Sequence, residues 1–562
     1  MRPLDWAVLA CTLAGIVAYG LYRGRGSNTV NAYLLAGKTM PWYAMALSIM
    51  ATQASAITFL STPAQGYVDG IRFVQFYFGL PIAMVILAAT VVPAFHRANV
   101  YTAYEYLEKR FDAKTRALVS AIFLLERGLA IGVALCAPAI VLTVVLGWPD
   151  RLTTIVMGAL VVTYTVMGGI KAVTWSEVQQ MIILFIGLFA AFIAAIWLLP
   201  SGIGLHDAFS LAGAAGKLKA VDLHFDWNNR YNIWSALLGG TFLFLAYFGT
   251  DQSQVQRYLT GRSIAQSRLS LLFNAVAKIP MQFLILATGA MVFVFFIYER
   301  PPLLFHPLEL QRIETDPGYR AVEQRFQGAF EDRKRAAGEL VEARRSGNAQ
   351  QHARGLAHYR AAQDQFDQAR ADGIRMVGGT FTDTNYIFLS FLTRYLPAGL
   401  VGLMIAVVFV AATSSTSAEV NSLATVTVID IYKRHIKKNA PDHHYLWVSR
   451  LASAFWGCYA VAFAEYARTR LGSLIEAVNM VGSLFYGGML GVFVLAFAFP
   501  RVRGTAAFVG VLAGEAAIFY AHWATNISFL WYNALGCLVV VLVGLLLSQT
   551  RQSPQPSPQT ST

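Results

Sequence analysis

AATSSTSAEVNS, residues 411–422, sets six small hydroxyl side chains inside a stretch that otherwise reads as membrane-spanning. AGLVGLMIAVVFV precedes it and LATVTVIDIYKR follows. Polar groups in hydrocarbon are expensive, so such a cluster normally faces a bundle interior or a wet pathway. It offers hydroxyl oxygens, plus backbone carbonyls where the helix bends, and no charge nearer than Glu419. Hard alkali cations take oxygen ligands, whereas thiolate and imidazole suit softer metals. Alternatively, the Ser and Thr side chains bond back to their own helix and ease packing. Taken alone, the cluster leaves both readings open.

Composition fixes the class. The 562-residue chain is 56% hydrophobic and 13% charged, against roughly 25% charged in a soluble domain. Its mean hydropathy is +0.50. Runs of about 20 apolar residues, enough to cross a bilayer, recur throughout. The expectation is an all-α polytopic membrane protein with about thirteen transmembrane helices. They fall at 3–22, 41–64, 72–94, 117–147, 152–169, 178–199, 233–251, 270–298, 384–417, 445–466, 473–498, 504–524 and 528–548. The first is expected to be a span and not a cleaved leader, because Arg23 and Arg25 follow it and no small-residue cleavage site does. Cys11, Cys136, Cys458 and Cys537 lie in apolar spans and are expected to be free thiols.

Loop charge sets orientation. Lys and Arg crowd the loops after the first span (Arg23, Arg25, Lys38), the third (Arg97, Lys109, Arg110, Lys114, Arg116) and the fifth (Lys171). They recur after the seventh (Arg257, Arg262, Arg268), ninth (Lys433, Arg434, Lys437, Lys438) and eleventh (Arg501, Arg503). All these loops share one side, expected to be cytoplasmic, which leaves the N-terminus outside and the C-terminus inside a plasma or bacterial inner membrane. Much of the net charge of +13 is then a topology signal against anionic lipid, and no nucleic-acid partner is needed.

One segment departs from the membrane pattern. From Pro302 to Gly378 the chain turns polar and helix-forming, with Tyr319, Val322, Phe326 and Leu340, then Leu356, Tyr359 and Phe366, at helical spacing. Ser346-Gly347-Asn348 supplies a turn. The expectation is an extracytoplasmic helical hairpin, a solvated and salt-bridged accessory that contacts an envelope partner or shades the outward vestibule.

Two spans are interrupted by polar residues. PWYAMALSIMATQASAITFLSTPAQGY, residues 41–67, carries Thr52, Gln53, Ser55 and Thr58 near its midplane. WSALLGGTFLFLAYFGTDQSQVQRYL, residues 234–259, is interrupted by Gly249-Thr250-Asp251-Gln252. They sit five spans apart, each opening a block of five. An inverted-repeat transporter has one discontinuous helix per half, with unwound backbone at its sites. Small polar residues at helix contacts would be the plainer explanation.

AGKTMPW with ATQASAITFLSTPAQGY, MGGIKAVTWSEVQQ, FGTDQSQVQRYLTGRS and SSTSAEVNSLATVTVIDIYKR, in this order, resemble the sodium:solute symporter family. The resemblance covers roughly residues 30–298 and 384–500 and omits the hairpin. QSQVQRYL and FLSTPA look most like the branch of sodium-coupled monocarboxylate, vitamin and iodide carriers, while LIEAVNMVGSLFYGGMLGVF resembles bacterial members. It implies a leucine-transporter-like 5+5 inverted repeat. The domains would be 1–40, an extra span and loop; 41–298, the first repeat and start of the second; 299–383, the hairpin insertion; 384–500, the rest of the second repeat; 501–550, two closing spans; and 551–562, a disordered cytoplasmic tail.

The resemblance implies a sodium site of backbone carbonyls at Ala51 and Ala54, a carbonyl at Ala411 and hydroxyls at Ser414 and Ser415. Some relatives hold a second sodium with further Ser residues and an acid. Here Ala411 and Ala412 replace those Ser residues, while Glu177 stands at the acidic position. Sugar carriers use a Gln and a Glu where this chain has Thr58 and Tyr77, which argues against a galactose-like solute. Residues expected to line the solute pocket are Gln53, Thr58, Gln75, Tyr77, Tyr247, Asp251, Gln252, Glu476 and Asn479. Gln75 and Asn479 could equally be interhelical hydrogen bonds, and Glu476 a structural carboxylate. The function implied is sodium-coupled symport of a small organic solute, a monocarboxylate or other organic anion, with a sugar, amino acid or nucleoside-like solute as the alternative. A membrane solute sensor is the alternative of another class. An enzyme is not expected, since the ten His lie mostly in loops and the hairpin.

Overall fold

The computed structural model describes residues 2–24, 36–167, 170–378, 381–467 and 473–549. Regular structure among them is helical, with one isolated bridge joining Met40 to Gly261. The first half comprises α1 (Pro3–Gly24), α2 (Trp42–Gln53), α3 (Ala56–Asp69), α4 (Leu80–Ala89), α5 (Ala113–Leu146), α6 (Asp150–Met167) and α7 (Ile170–Trp197). The second half begins with α8 (Gly240–Gly249), α9 (Gln252–Leu259) and α10 (Ile264–Tyr298). The hairpin is α11 (Tyr319–Arg345) and α12 (Ala349–Val377). After it come α13 (Thr384–Tyr395), α14 (Leu400–Val426), α15 (Asp442–Ala467), α16 (Leu474–Ala498), α17 (Gly504–Ala524) and α18 (Leu530–Gln549). The N-terminal loop at 25–35 and the tail at 551–562 lie outside the described residues.

Ten helical segments among the described residues are long and apolar enough to cross a membrane. The thirteen expected segments outnumber these by three. Those at 41–64 and 72–94 contribute to a single apolar stretch from Ala56 to Ala98. The segment at 233–251 is a shorter apolar helix, Ser235–Gly249, and α6 borders residues outside the description. All four cysteines are free thiols.

Both interruptions in the sequence are breaks in the structure. Between α2 and α3, Ala54 takes φ −91 and ψ 62 and Ser55 is extended. Between α8 and α9, Asp251 is extended and its side chain caps α9 by accepting from the Ser253 amide at 2.8 Å. Breaking a helix orphans the carbonyls of the turn before it and the amides of the turn after it. Such groups are tolerated at membrane depth only inside protein or beside a cavity. α14 packs against α2, α3, α5 and α7, so the hydroxyl cluster faces the bundle interior beside the first break.

The segment expected as one span at 384–417 is instead two helices, α13 and α14. Pro397 disfavours helical backbone at the residue before it, and Gly399 adopts φ 87, a region that glycine enters without strain. Asp5 of α1 fills the gap, accepting from the Gly399 amide at 2.6 Å and the Gly402 amide at 3.3 Å. A carboxylate there also suits the positive end of the α14 dipole.

The hairpin forms as the spacing suggested, with Asn348 capping α12 through the Gln350 and Gln351 amides at 3.0 and 3.1 Å. It is not solvated all round. Phe326, Phe330 and Phe366 form a buried core between its helices. Arg333 is fully buried, stacks 3.5 Å from the Phe366 ring centroid and donates to the Phe296 carbonyl of α10. Arg345 pairs with Asp207 at 2.7 Å and Arg370 with Asp383 at 2.7 Å. The hairpin is therefore docked on one end of the bundle.

Arg333→Met should release that end, because it removes a charged hydrogen bond worth about 2–3 kcal/mol. Thermal unfolding and cleavage at the Ser346–Asn348 turn would report it, and unchanged behaviour would deny Arg333 this role. The hydrogen bond from Arg345 holds the Asp207 carboxyl below its ordinary range. A depressed acid stabilises fully above its unfolded pKa, about 3.9, and the contribution is lost as pH falls through the depressed value. Hydrogen exchange in residues 205–214 should therefore accelerate only below about pH 4.

Candidate functional site

The first break, α8 and α14 enclose a cavity with α5 and α16. Its wall takes Thr52, Gln53, Ser55 and Thr58 from the first break, and Phe244 and Tyr247 from α8. Glu126 and Arg127 of α5, Ser415, Thr416 and Glu419 of α14, and Asn479 and Tyr486 of α16 complete it, with Phe76 and Tyr77 across from them. Five residues expected at the solute pocket thus meet there: Gln53, Thr58, Tyr77, Tyr247 and Asn479. Thr58 donates to the Gln53 carbonyl at 3.1 Å and Asn479 to the Ile475 carbonyl at 2.6 Å, while Tyr247 accepts from Gln254 at 2.6 Å.

The other expected pocket residues lie elsewhere. Gln75 spans a loop, donating to the Tyr231 carbonyl and accepting from the Asp222 amide, both at 3.0 Å. Gln252 accepts from the Ala103 amide at 3.0 Å and donates to the Tyr101 carbonyl at 2.9 Å. Their amides satisfy backbone groups in loops, so neither lies in the cavity wall. Asp251 sits behind the wall, ion-paired to Arg127 and accepting from Tyr486 at 3.1 Å. Glu476 pairs with Arg230 at 2.7 Å and accepts from the Tyr231 hydroxyl, as its structural alternative anticipated.

At the expected sodium position, Ala51 and Ala54 of the first break and Ala411 of α14 are fully buried. The Ser415 hydroxyl is buried and has no hydrogen-bond partner. An oxygen without a donor in a closed interior suits a cation with oxygen ligands. The Ser414 side chain lies outside the described residues. Glu177 has a different cation beside it. It pairs with Arg257 of α9 at 2.7 Å and accepts from Ser48 at 2.5 Å and from Thr52 at 3.4 Å. Arg257, counted above as a loop charge, is buried in α9.

Two charged wall residues, Glu126 and Arg127, went unnoticed in the sequence, as did Lys278 behind the Tyr77 ring. Arg127 pairs with Asp251, lies 3.3 Å from Glu419 and 3.6 Å from Glu126, and donates to Tyr486 at 2.8 Å. The charged pair inside LLERGLAIG was the signal, since ionised side chains in a span are rare and usually functional. Lys278 of α10 is also fully buried, its ammonium lacks a hydrogen-bond partner, and it lies 5.6 Å from the Tyr77 ring centroid.

Polar ties cross the bundle on both sides of the cavity. Toward the hairpin end, Ser61 lies 3.0 Å from Ser473 and accepts from the Ile475 amide at 3.3 Å. On the other side the Arg257–Glu177–Ser48 group ties α9, α7 and α2. Removing one partner of a buried ion pair leaves an uncompensated charge, costing about 3–5 kcal/mol, whereas replacing both with apolar groups is often neutral. Arg257→Met should therefore lower the thermal midpoint sharply, and adding Glu177→Met should restore much of it. A double variant no more stable than Arg257→Met alone would contradict this.

The sequence profile of the sodium:solute symporter family matches residues 33–302 and 363–514. The chain is 27% identical to sodium-coupled monocarboxylate transporter 1 of Xenopus laevis over 515 residues, covering 91% of this chain and 70% of that protein. It is 28% identical to the sodium-dependent multivitamin transporter of Oryctolagus cuniculus, covering 92% and 70%. It is 26% identical to the sodium/sialic acid symporter NanT of Aliivibrio fischeri, covering 97% and 92%. In fold it is similar to the substrate-bound outward-open state of a Na+-coupled sialic acid symporter, with a TM-score of 0.76 at 23% identity and 99% of each chain covered. The chain belongs to the sodium:solute symporter family, as a membrane-spanning transporter that moves a small organic solute coupled to sodium.

Proposed function

We propose that the solute is a small organic anion carrying a carboxylate, taken into the cell with sodium. The observation that carries this is Lys278, a buried ammonium beside the cavity-lining ring of Tyr77 and without a hydrogen-bond partner. Buried charges are normally paired, and a solute carboxylate supplies the missing partner. Size agrees. The cavity offers about 80 Å³ to the centre of a water-sized sphere, where one water needs about 10–15 Å³. That is room for roughly five to eight waters or a solute of similar bulk. The similarity to carriers named for monocarboxylates and sialic acid supports the same class. Uptake of radiolabelled short monocarboxylates into proteoliposomes, against neutral sugars and amino acids, tests it. Lys278→Gln should reduce anion uptake by tenfold or more, and preserved uptake would remove Lys278 from the solute site.

We assign the sodium ligands to the Ala51, Ala54 and Ala411 carbonyls and the Ser414 and Ser415 hydroxyls. Ser415→Ala deletes one ligand, at about 1–3 kcal/mol, and should raise the sodium needed for half-maximal uptake by roughly tenfold. By linkage the solute's apparent affinity should fall in parallel. Unchanged sodium dependence would mean the ion site is elsewhere.

Charge sets the driving force. One sodium crossing about 100 mV releases roughly 2.3 kcal/mol, and a tenfold gradient adds about 1.4 kcal/mol. A monovalent anion carried with one sodium loses the voltage term. We place the hairpin outside and the C-terminus in the cytoplasm of a bacterial inner membrane, from the loop charges. The hairpin is then an accessory whose exposed face meets an envelope partner.

A further inference from the structure

We propose that Glu126 and Glu419 form a second monovalent-cation site, for sodium or a proton, distinct from the sodium position at Ser415. The proposal rests on the sodium-coupled reading only for the first ion. Both carboxylates line the cavity. Glu126 is fully buried, and neither of its oxygens accepts a hydrogen bond. The second Glu419 oxygen is buried and likewise unmatched. These three oxygens belong to cavity-lining residues and lack a close hydrogen bond, the nearest cation being the Arg127 guanidinium 3.6 Å from one Glu126 oxygen.

Charge gives the second argument. Arg127 is one positive charge facing three carboxylates, Asp251, Glu419 and Glu126. It is committed most closely to Asp251, an ion pair that Tyr486 reinforces by donating to the same carboxylate at 3.1 Å. Its contacts with Glu419 and Glu126 are longer, at 3.3 and 3.6 Å. The nearby Arg257 also acts on Glu419 but is paired with Glu177. The uncharged hydroxyls facing this group are Tyr486, Tyr247 and Tyr104. Two negative charges are therefore left uncompensated inside the bundle, where buried charge persists only when matched. The unmatched donors are all oxygen, which suits a hard monovalent cation or a proton.

Position gives the consequence. Ser415 and Glu419 are four residues apart on α14, hence on one face and about 6 Å apart along the helix axis. A second cation there sits one turn from the first, along the same α14 face of the cavity that receives the solute. An anion bound with two cations carries net positive charge inward, so its uptake would respond to membrane voltage.

The test uses the purified full-length transporter and sodium alone. Binding of 22Na+ at saturation gives the ion count, and infrared difference spectra between pH 5 and 9 detect a protonated carboxyl. We expect either two sodium ions per protein, or one sodium and one titrating carboxyl. Glu126→Gln and Glu419→Gln should each abolish the second cation and retain the first, whereas Ser415→Ala should remove one sodium and spare the glutamate site. If Ser415→Ala leaves the sodium count intact while the glutamate variants lower it, the first assignment fails and this one stands. One sodium and no titrating carboxyl in the unmodified protein would overturn the proposal, even if a variant failed to fold. So would a second cation that survives both substitutions.

Discussion

Backbone amides buried in a membrane protein must be matched, and this chain breaks that pattern at Ala54–Ser55 and again at Thr250–Asp251. Each break leaves carbonyls and amides that an unbroken helix would have paired. At the second, Asp251 supplies its own cap, and Arg127 neutralises the carboxylate that does so. At the first, Thr58 returns to the Gln53 carbonyl. Ala51 and Ala54 are fully buried at this break, and in the proposed sodium site their carbonyls would take an external cation as partner. The cavity, the charged cluster on α5 and the hydroxyl face of α14 all follow from the need to surround irregular backbone with polar partners.

Buried arginines organise what surrounds these breaks. Arg127 joins α5 to the second break and to α14, and Arg257 joins α9 to α7 and α2. Arg116 of α5 meets Asp430 beyond the end of α14, with Thr102 donating to the same carboxylate at 3.0 Å. Such networks hold discrete arrangements and have little middle ground, because a half-broken one leaves buried charge unmatched. An ion bound between α2 and α14, as proposed, would bias the same elements that the Arg257 group ties together. Ion occupancy and access to the cavity would then be one equilibrium, with reciprocal effects on the solute.

Much of this was legible in sequence because it is written in local contrast. Gly249-Thr250-Asp251-Gln252 stands out within an apolar run, and so does AATSSTSAEVNS. The hairpin was readable from helical spacing around Ser346-Gly347-Asn348. Pro397 and Gly399 announced the split between α13 and α14, yet apolar residues on both sides masked it as one long span. Gln75 and Gln252 could not be separated from pocket residues, since a buried amide bound to a distant loop carries no sequence mark. Arg127, Glu126 and Lys278 were visible as charges in spans, but the place of the first two in the cavity wall, and of Lys278 beside Tyr77, depends on pairing between distant helices.

In the proposed site, sodium bridges α2 to α14 at the first break. Hydrogen exchange across Trp42–Gln53 of the purified transporter, in sodium and in potassium at equal ionic strength, tests it most directly. Exchange should be slower in sodium for this helix and for α14 around Ser415, with the hairpin unaffected. Identical exchange in the two cations, at a sodium concentration that saturates 22Na+ binding, would contradict it.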